Sequence, residues 1–141
     1  MNKSKAERIA IYRKEHFNSA HRLHNPDLTD EENKRLYGKC NNENYHGHNY
    51  DLVVKVTGEV DKVTGFVIDT KQLSDIIKTF VIEEFDHRNM NLDVEMMQGI
   101  NPTTENVAIA IYNVLRQKID ARAEVKIFLY ETERNFVEYP A

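Results

Sequence analysis

The sequence predicts an α+β domain, an antiparallel sheet with its helices packed on one face. Apolar and polar residues alternate in two stretches near the N-terminus and two near the C-terminus, the period of half-buried strands. Between them, from Asp69 to Leu115, apolar residues recur at helical spacing instead. The order strand, strand, helix, helix, strand, strand segregates the two kinds of element.

The first strand is expected from Arg8 to about His21, where Ile9 and Ile11 alternate with Ala10 and Tyr12 and no helical stripe is present. The second runs from about His46 to Thr57. It carries Tyr50, Leu52, Val54 and Val56 on one face, and Asn49, Asp51, Val53 and Lys55 on the other. Residues 22–45 join the two, a connection longer than compact domains keep without purpose. Thr29 and Glu32 form a capping box for a short helix there, Gly38 can end it, and Cys40 then follows in a loop. Gly58 and the "DKVTG" stretch break the second strand, with Gly65 suited to positive φ.

Asp69 caps the first main helix, whose stripe is Leu73, Ile76, Ile77, Phe80, Val81 and Phe85. It ends near "FDHRNMN". The second starts after Pro102, near Thr103 or Thr104, with Val107, Ala110, Ile111, Val114 and Leu115 on its apolar face. "EVKIFLYE" is the third strand, alternating Val125, Ile127 and Leu129, and "RNFVEYP" completes a hairpin. The far face of the sheet is then wet or covered by another subunit.

A length of 141 residues suits one domain, residues 1–141, large enough to bury a core without staples. One cysteine makes no internal disulfide, which points to a reducing, cytoplasmic setting. The N-terminus carries charges where an export signal needs an apolar run, and no stretch approaches the roughly 20 apolar residues of a membrane helix. A net charge of -4 with no basic cluster excludes a nucleic-acid partner and a membrane surface is not indicated.

The chemistry concentrates in "GKCNNENYHGHNY", which holds the only cysteine and two of the six histidines. His46 and His48 are two apart on a strand, so both imidazoles point to one face. If the first two strands pair antiparallel, His21 at the end of the first lies beside them. Three neutral imidazoles leave a fourth zinc position open, the pattern of a catalytic site. The same spacing also arises in strands that bind nothing, and His21 is what distinguishes this case. His16 points away from His21 on a regular strand and His24 lies in the loop, so neither is included.

Cys40 has three readings: a fourth metal ligand, a base or nucleophile beside the metal, or a small buried residue. Asp86 and His87 follow a helix end, where the dipole favours a charged imidazole, though solvated helix ends often look the same. Glu131 ends an apolar strand and by itself reads as exposed. Thr103, Thr104 and Glu105 have the composition of any helix start.

Together, "FNSAHRL", "DEENKRLYGKCNNENYHGHNY", "DHRNMNLDVE", "PTTENVA" and "LYETERN" resemble the 6-pyruvoyl-tetrahydropterin synthase family, including its relative 6-carboxy-tetrahydropterin synthase. The segments occur in the family's order and cover nearly the whole chain. The resemblance implies the tunnelling fold, a four-stranded antiparallel sheet with two helices on one face. Trimers would close a barrel and stack into a homohexamer, with active sites between subunits. It implies zinc ligands at His21, His46 and His48, a catalytic cysteine at Cys40, an Asp–His pair at Asp86 and His87, and a pterin-anchoring glutamate at Glu131. Thr103, Thr104 and Glu105 would help hold the pterin ring.

The implied substrate is the small molecule 7,8-dihydroneopterin triphosphate, converted to 6-pyruvoyl-tetrahydropterin by a zinc-dependent lyase that eliminates triphosphate in tetrahydropterin biosynthesis. Arg22, Lys39 and Arg35 are candidates for the triphosphate. No dinucleotide motif is present, so no nicotinamide or flavin is implied. Five residues separate Cys40 from His46, a spacing that resembles the pyruvoyl branch; the carboxy branch, on the way to queuosine, typically has three. The alternatives are a 6-carboxy-tetrahydropterin synthase, a cysteine hydrolase using Cys40, His87 and Asp86, and a non-catalytic zinc- or pterin-binding module.

Overall fold

The computed structural model describes residues 7–141. The expectation of no export signal draws on residues 1–17, of which 1–6 lie outside the described residues. β1 (Arg8–His21) and β2 (His46–Glu59) pair antiparallel along their full lengths, with Arg8 opposite Glu59 and His21 opposite His46. β1 keeps the expected bounds, and β2 runs two residues beyond Thr57. The alternation in β2 places Tyr50, Leu52, Val54 and Val56 in the core, all fully buried.

The expected four-stranded sheet is corrected to five strands, in the order β3-β1-β2-β4-β5. β4 (Glu124–Tyr130) and β5 (Phe136–Tyr139) extend the antiparallel ladder from β2. The addition is β3 (Arg88–Asn89), which pairs parallel with Ser19 and Ala20. Two residues carry no readable period, so tertiary pairing alone makes this strand. The Ser19 hydroxyl helps by donating to the Arg88 carbonyl at 2.7 Å.

Helices cover one face of the sheet. α1 (Asp30–Tyr37) lies in the long connection; the Thr29 hydroxyl accepts from Glu32 N, as expected of its cap. Gly38 follows at φ 55, ψ -126, a conformation glycine adopts without the Cβ clash. A 3-10 turn (Gly38–Asn41) then carries Cys40.

Asp69 caps α2 (Thr70–Ile77), and the helix continues through a π turn (Lys78–Ile82) into α3 (Glu83–Phe85). Leu73, Ile77, Val81 and Phe85 are each four residues apart and fully buried. In a pure α-helix each such step drifts about 40° around the axis. The wider π turn takes up part of that drift, so Val81 and Phe85 still face the sheet. Phe80 is only half-buried, with the Lys118 ammonium 4.4 Å from its ring centroid.

Thr103 caps α4 (Thr104–Lys118), which buries Val107, Ala108, Ile111 and Leu115. Ala108 takes a core place that the apolar stripe had assigned to Ala110. Met90, Val94 and Met97, from the segment between α3 and α4, complete the core.

Candidate active site

The β1–β2 register builds the centre of the site. His21 is cross-strand partner of His46, and Ser19 of His48, so the three imidazoles share the face that carries Tyr50. Their ring centroids lie 4.6–5.1 Å apart. One nitrogen from each falls within 4.8 Å of the other two. His21 Nε2 and His46 Nε2 are 3.0 Å apart.

The ring of His21 is oriented from behind. With its Nδ1–H donating to the Pro102 carbonyl at 2.8 Å, Nε2 keeps its lone pair for the centre. Burial lowers the pKa of His21, against the opposing effect of the Pro102 bond; His46 and His48 add to the lowering. The pKa of His46 is lowered by burial and then by His48. The neutral, ligating forms are thereby favoured. His46 Nδ1 and His48 Nε2 are buried without a hydrogen-bond partner among the described residues. Buried polar nitrogens left this way are costly, and an all-nitrogen set of three suits a divalent cation such as zinc. The residues fit such an ion.

Tyr50 forms the floor, fully buried, stacked on Phe17 and edge-on to His48 and His21. Its hydroxyl is 3.4 Å from His21 Nδ1. Burial, then the charge of Glu131, holds it protonated. Glu131 follows β4 directly and enters the site beside His48, with Oε1 3.8 Å from His48 Nε2. Its other oxygen accepts from the Thr104 hydroxyl at 2.6 Å. Thr103 uses its hydroxyl to cap α4, accepting from Asn106 N, and Glu105 is exposed in the first turn.

Cys40 is half-buried and, among the described residues, is not part of the three-histidine cluster. Its turn is stitched to the chain just past His21. Leu23 N–H donates to the Cys40 carbonyl at 2.8 Å, Asn41 Nδ2 to the Leu23 carbonyl at 2.7 Å, and Arg22 Nε to the Asn41 carbonyl at 3.0 Å. His24 Nδ1 contacts Asn41 Nδ2 at 3.0 Å, and His16 sits opposite Asp51 on the outer face, so both stay out of the cluster as expected.

The Asp86–His87 pair stands apart from these groups. Asp86 Oδ2 is 2.9 Å from His87 Nδ1, and Asp86 Oδ1 accepts from Asn18 N–H at 2.9 Å. That backbone bond holds the Asp86 carboxyl below its usual range, with His87 adding to it. His87 takes a left-handed φ of 61, and its side chain is 85% exposed. Within one chain the pair therefore faces outward from the edge of β1.

Residue spacing missed two parts of this site. Tyr50 stood two places from His48 on the same face, a signal that was available. The Pro102 carbonyl had none, because any residue carries one.

The sequence model of a family described as 6-pyruvoyl tetrahydropterin synthase matches residues 10–141. The 6-pyruvoyl tetrahydrobiopterin synthase of Homo sapiens is 40% identical over 129 residues, covering 92% of this chain and 89% of that one. The Dictyostelium discoideum protein of the same description is 43% identical over 132 residues, 93% and 95% of the two chains. The structure of Caenorhabditis elegans 6-pyruvoyl tetrahydropterin synthase superposes with a TM-score of 0.90 at 38% identity, covering 96% of this chain and 97% of that one.

Proposed function

Because the chain belongs to the 6-pyruvoyl tetrahydropterin synthase family, we propose that it is a lyase of tetrahydropterin biosynthesis. In this reading it converts 7,8-dihydroneopterin triphosphate to 6-pyruvoyl-tetrahydropterin and eliminates triphosphate. The observation that carries it is the convergence of His21, His46 and His48 beside Glu131. The three histidines would hold zinc, which would supply Lewis-acid polarisation of the substrate's side-chain hydroxyls.

The chain's own groups divide the remaining work. Glu131 accepts hydrogen bonds from the pterin's ring N–H and amino group, a charge-assisted match. Thr104 keeps one of its oxygens fixed while it does so. Cys40, as thiolate, removes and returns protons on the side-chain carbons. The ring is reduced as the side chain is oxidised, so no outside oxidant or reductant is needed. Asp86 and His87 assist the thiolate of a neighbouring subunit in a homohexamer, which accounts for their outward position. The single cysteine, which makes no internal disulfide, supports a cytoplasmic setting; among the described residues no helix is long and apolar enough to cross a membrane.

The pyruvoyl product is favoured over the carboxy product by the five residues between Cys40 and His46. The last four, Asn42 to Tyr45, form a turn in which Tyr45 N–H donates to the Asn42 carbonyl at 3.1 Å and Tyr45 adopts a φ of 68. A cysteine hydrolase is disfavoured, since it leaves the three clustered histidines without a role.

The deciding experiment incubates zinc-loaded protein with 7,8-dihydroneopterin triphosphate and identifies the pterin by mass. Pyruvoyl-tetrahydropterin with released triphosphate is expected. Acetaldehyde and a carboxypterin would move the assignment to the carboxy branch, and no triphosphate release would end the lyase reading.

A further inference from the structure

The side-chain amide of Asn101 ties together the chain segments that carry His21 and Cys40. Asn101 is half-buried in the loop before α4 and precedes the buried Pro102. Its Oδ1 accepts from His24 N–H at 3.2 Å, and its Nδ2 donates to the Tyr37 hydroxyl at 3.0 Å. The backbone donor at His24 fixes which end of the amide is the oxygen.

The first of these bonds closes a ring. From His21 the chain runs to His24, crosses to Asn101 through the amide, and passes on to Pro102. It returns through the Pro102 carbonyl to His21 Nδ1 at 2.8 Å. The carbonyl that orients the imidazole is thereby held against the strand end that bears it. The second bond reaches the cysteine. Tyr37 ends α1 just before the turn that carries Cys40. That turn is bonded in its own right to Leu23, the neighbour of His24.

The start of α4 does not need this amide. Thr103 N–H and Asn106 Nδ2 donate to the backbone carbonyl of Asn101 at 2.8 and 2.9 Å, and the Thr103 hydroxyl makes the cap. Those bonds do not use the Asn101 side chain. What the side chain adds is an acceptor toward one functional segment and a donor toward the other, a pair that leucine, of similar shape, lacks altogether.

We propose that Asn101 is a positioning residue that sets the His21 imidazole and the Cys40 turn relative to one another through its side-chain amide. It acts on His21 through Pro102 and on Cys40 through Tyr37. The inference rests on the metal and thiolate roles proposed above and names what aligns them.

The test compares Asn101→Leu, which loses both bonds, with Tyr37→Phe, which loses only the second. In the metal-free protein, NMR of the imidazole nitrogens should show His21 as the Nδ1–H tautomer, and Asn101→Leu should mix the tautomers. Zinc affinity of Asn101→Leu, by chelator competition, should fall about tenfold, the low end for a lost outer-shell partner. Alkylation of Cys40 by iodoacetamide should quicken about threefold or more in both variants. Tyr37→Phe should leave the tautomer and zinc affinity unchanged. Urea midpoints establish that each variant is folded, and Asn101→Ser, too short to reach either partner, replaces Asn101→Leu if that variant is not.

A folded Asn101 variant with unchanged tautomer and zinc affinity would overturn the proposal, as would an unchanged alkylation rate in Tyr37→Phe. An equal loss of zinc affinity in both variants would also overturn it, because the loop would then be loosened as a whole. Mixed tautomers and faster alkylation in a protein that binds no zinc would support the alignment by Asn101 and remove the metal reading, so the two failures are distinguishable.

Discussion

The Thr104 hydroxyl donates to Glu131 Oε2 at 2.6 Å, joining the first turn of α4 to the end of β4. This bond fixes one carboxylate oxygen and leaves the other beside His48, 3.8 Å from Nε2. The same helix start presents the Pro102 carbonyl to His21. One helix N-terminus thus orients both a candidate metal ligand and the candidate pterin anchor.

Thr104→Val keeps the shape of a nearly buried side chain and removes the donor. A hydrogen bond to a charged group contributes about 1.5–3 kcal/mol, so KM for the pterin substrate should rise about tenfold or more. Zinc content should stay the same. Steady-state kinetics with metal analysis checks both, and an unchanged KM would show that Glu131 does not depend on Thr104.

The histidine cluster and Cys40 are expected to separate in metal analysis. His48→Ala should lose zinc, since two imidazoles do not make a site. Cys40→Ala should keep zinc while turnover falls by at least about a hundredfold, the scale of a lost general base. A Cys40→Ala protein isolated without zinc would make the cysteine a ligand.

The metal-free protein should lose stability on mild acidification. His21 and His46 have lowered pKa values in the folded chain, chiefly through burial. Below the ordinary imidazole value of about 6.5 the unfolded chain takes up protons that the folded one resists. Stability is therefore full above that pH and falls as pH drops toward the lowered folded values. Urea midpoints between about pH 7.5 and 5 should show this decline, and His21→Gln should flatten it. A midpoint that rises on acidification would contradict the buried, neutral state of these rings.

Much of the fold was legible from residues close in sequence. β1 was bounded at Arg8 and His21, and the alternation in β2 named its buried face, because period-two patterning reports directly on one wet and one dry side. The capping signals at Thr29, Asp69 and Thr103 marked three helix starts. β3 escaped because a two-residue strand is made by its partner. The π turn escaped because the Leu73 to Phe85 stripe looks the same in a regular helix.

The candidate site divides along the same line. The sequence by itself determined that His21, His46 and His48 meet. An antiparallel pairing of two long strands leaves their joined ends side by side, and a spacing of two puts His46 and His48 on one face. It also carried the resemblance that placed Cys40 and Glu131 in the chemistry. Only the tertiary structure decided what holds these groups in place. His21 and Pro102 are 81 positions apart, and Thr104 and Glu131 are 27 apart. Such contacts depend on how α4 packs against the sheet, and a carbonyl or a hydroxyl has no local pattern that announces its partner. Packing likewise placed Asp86 on Asn18 N–H at the edge of β1 and left the His87 side chain exposed.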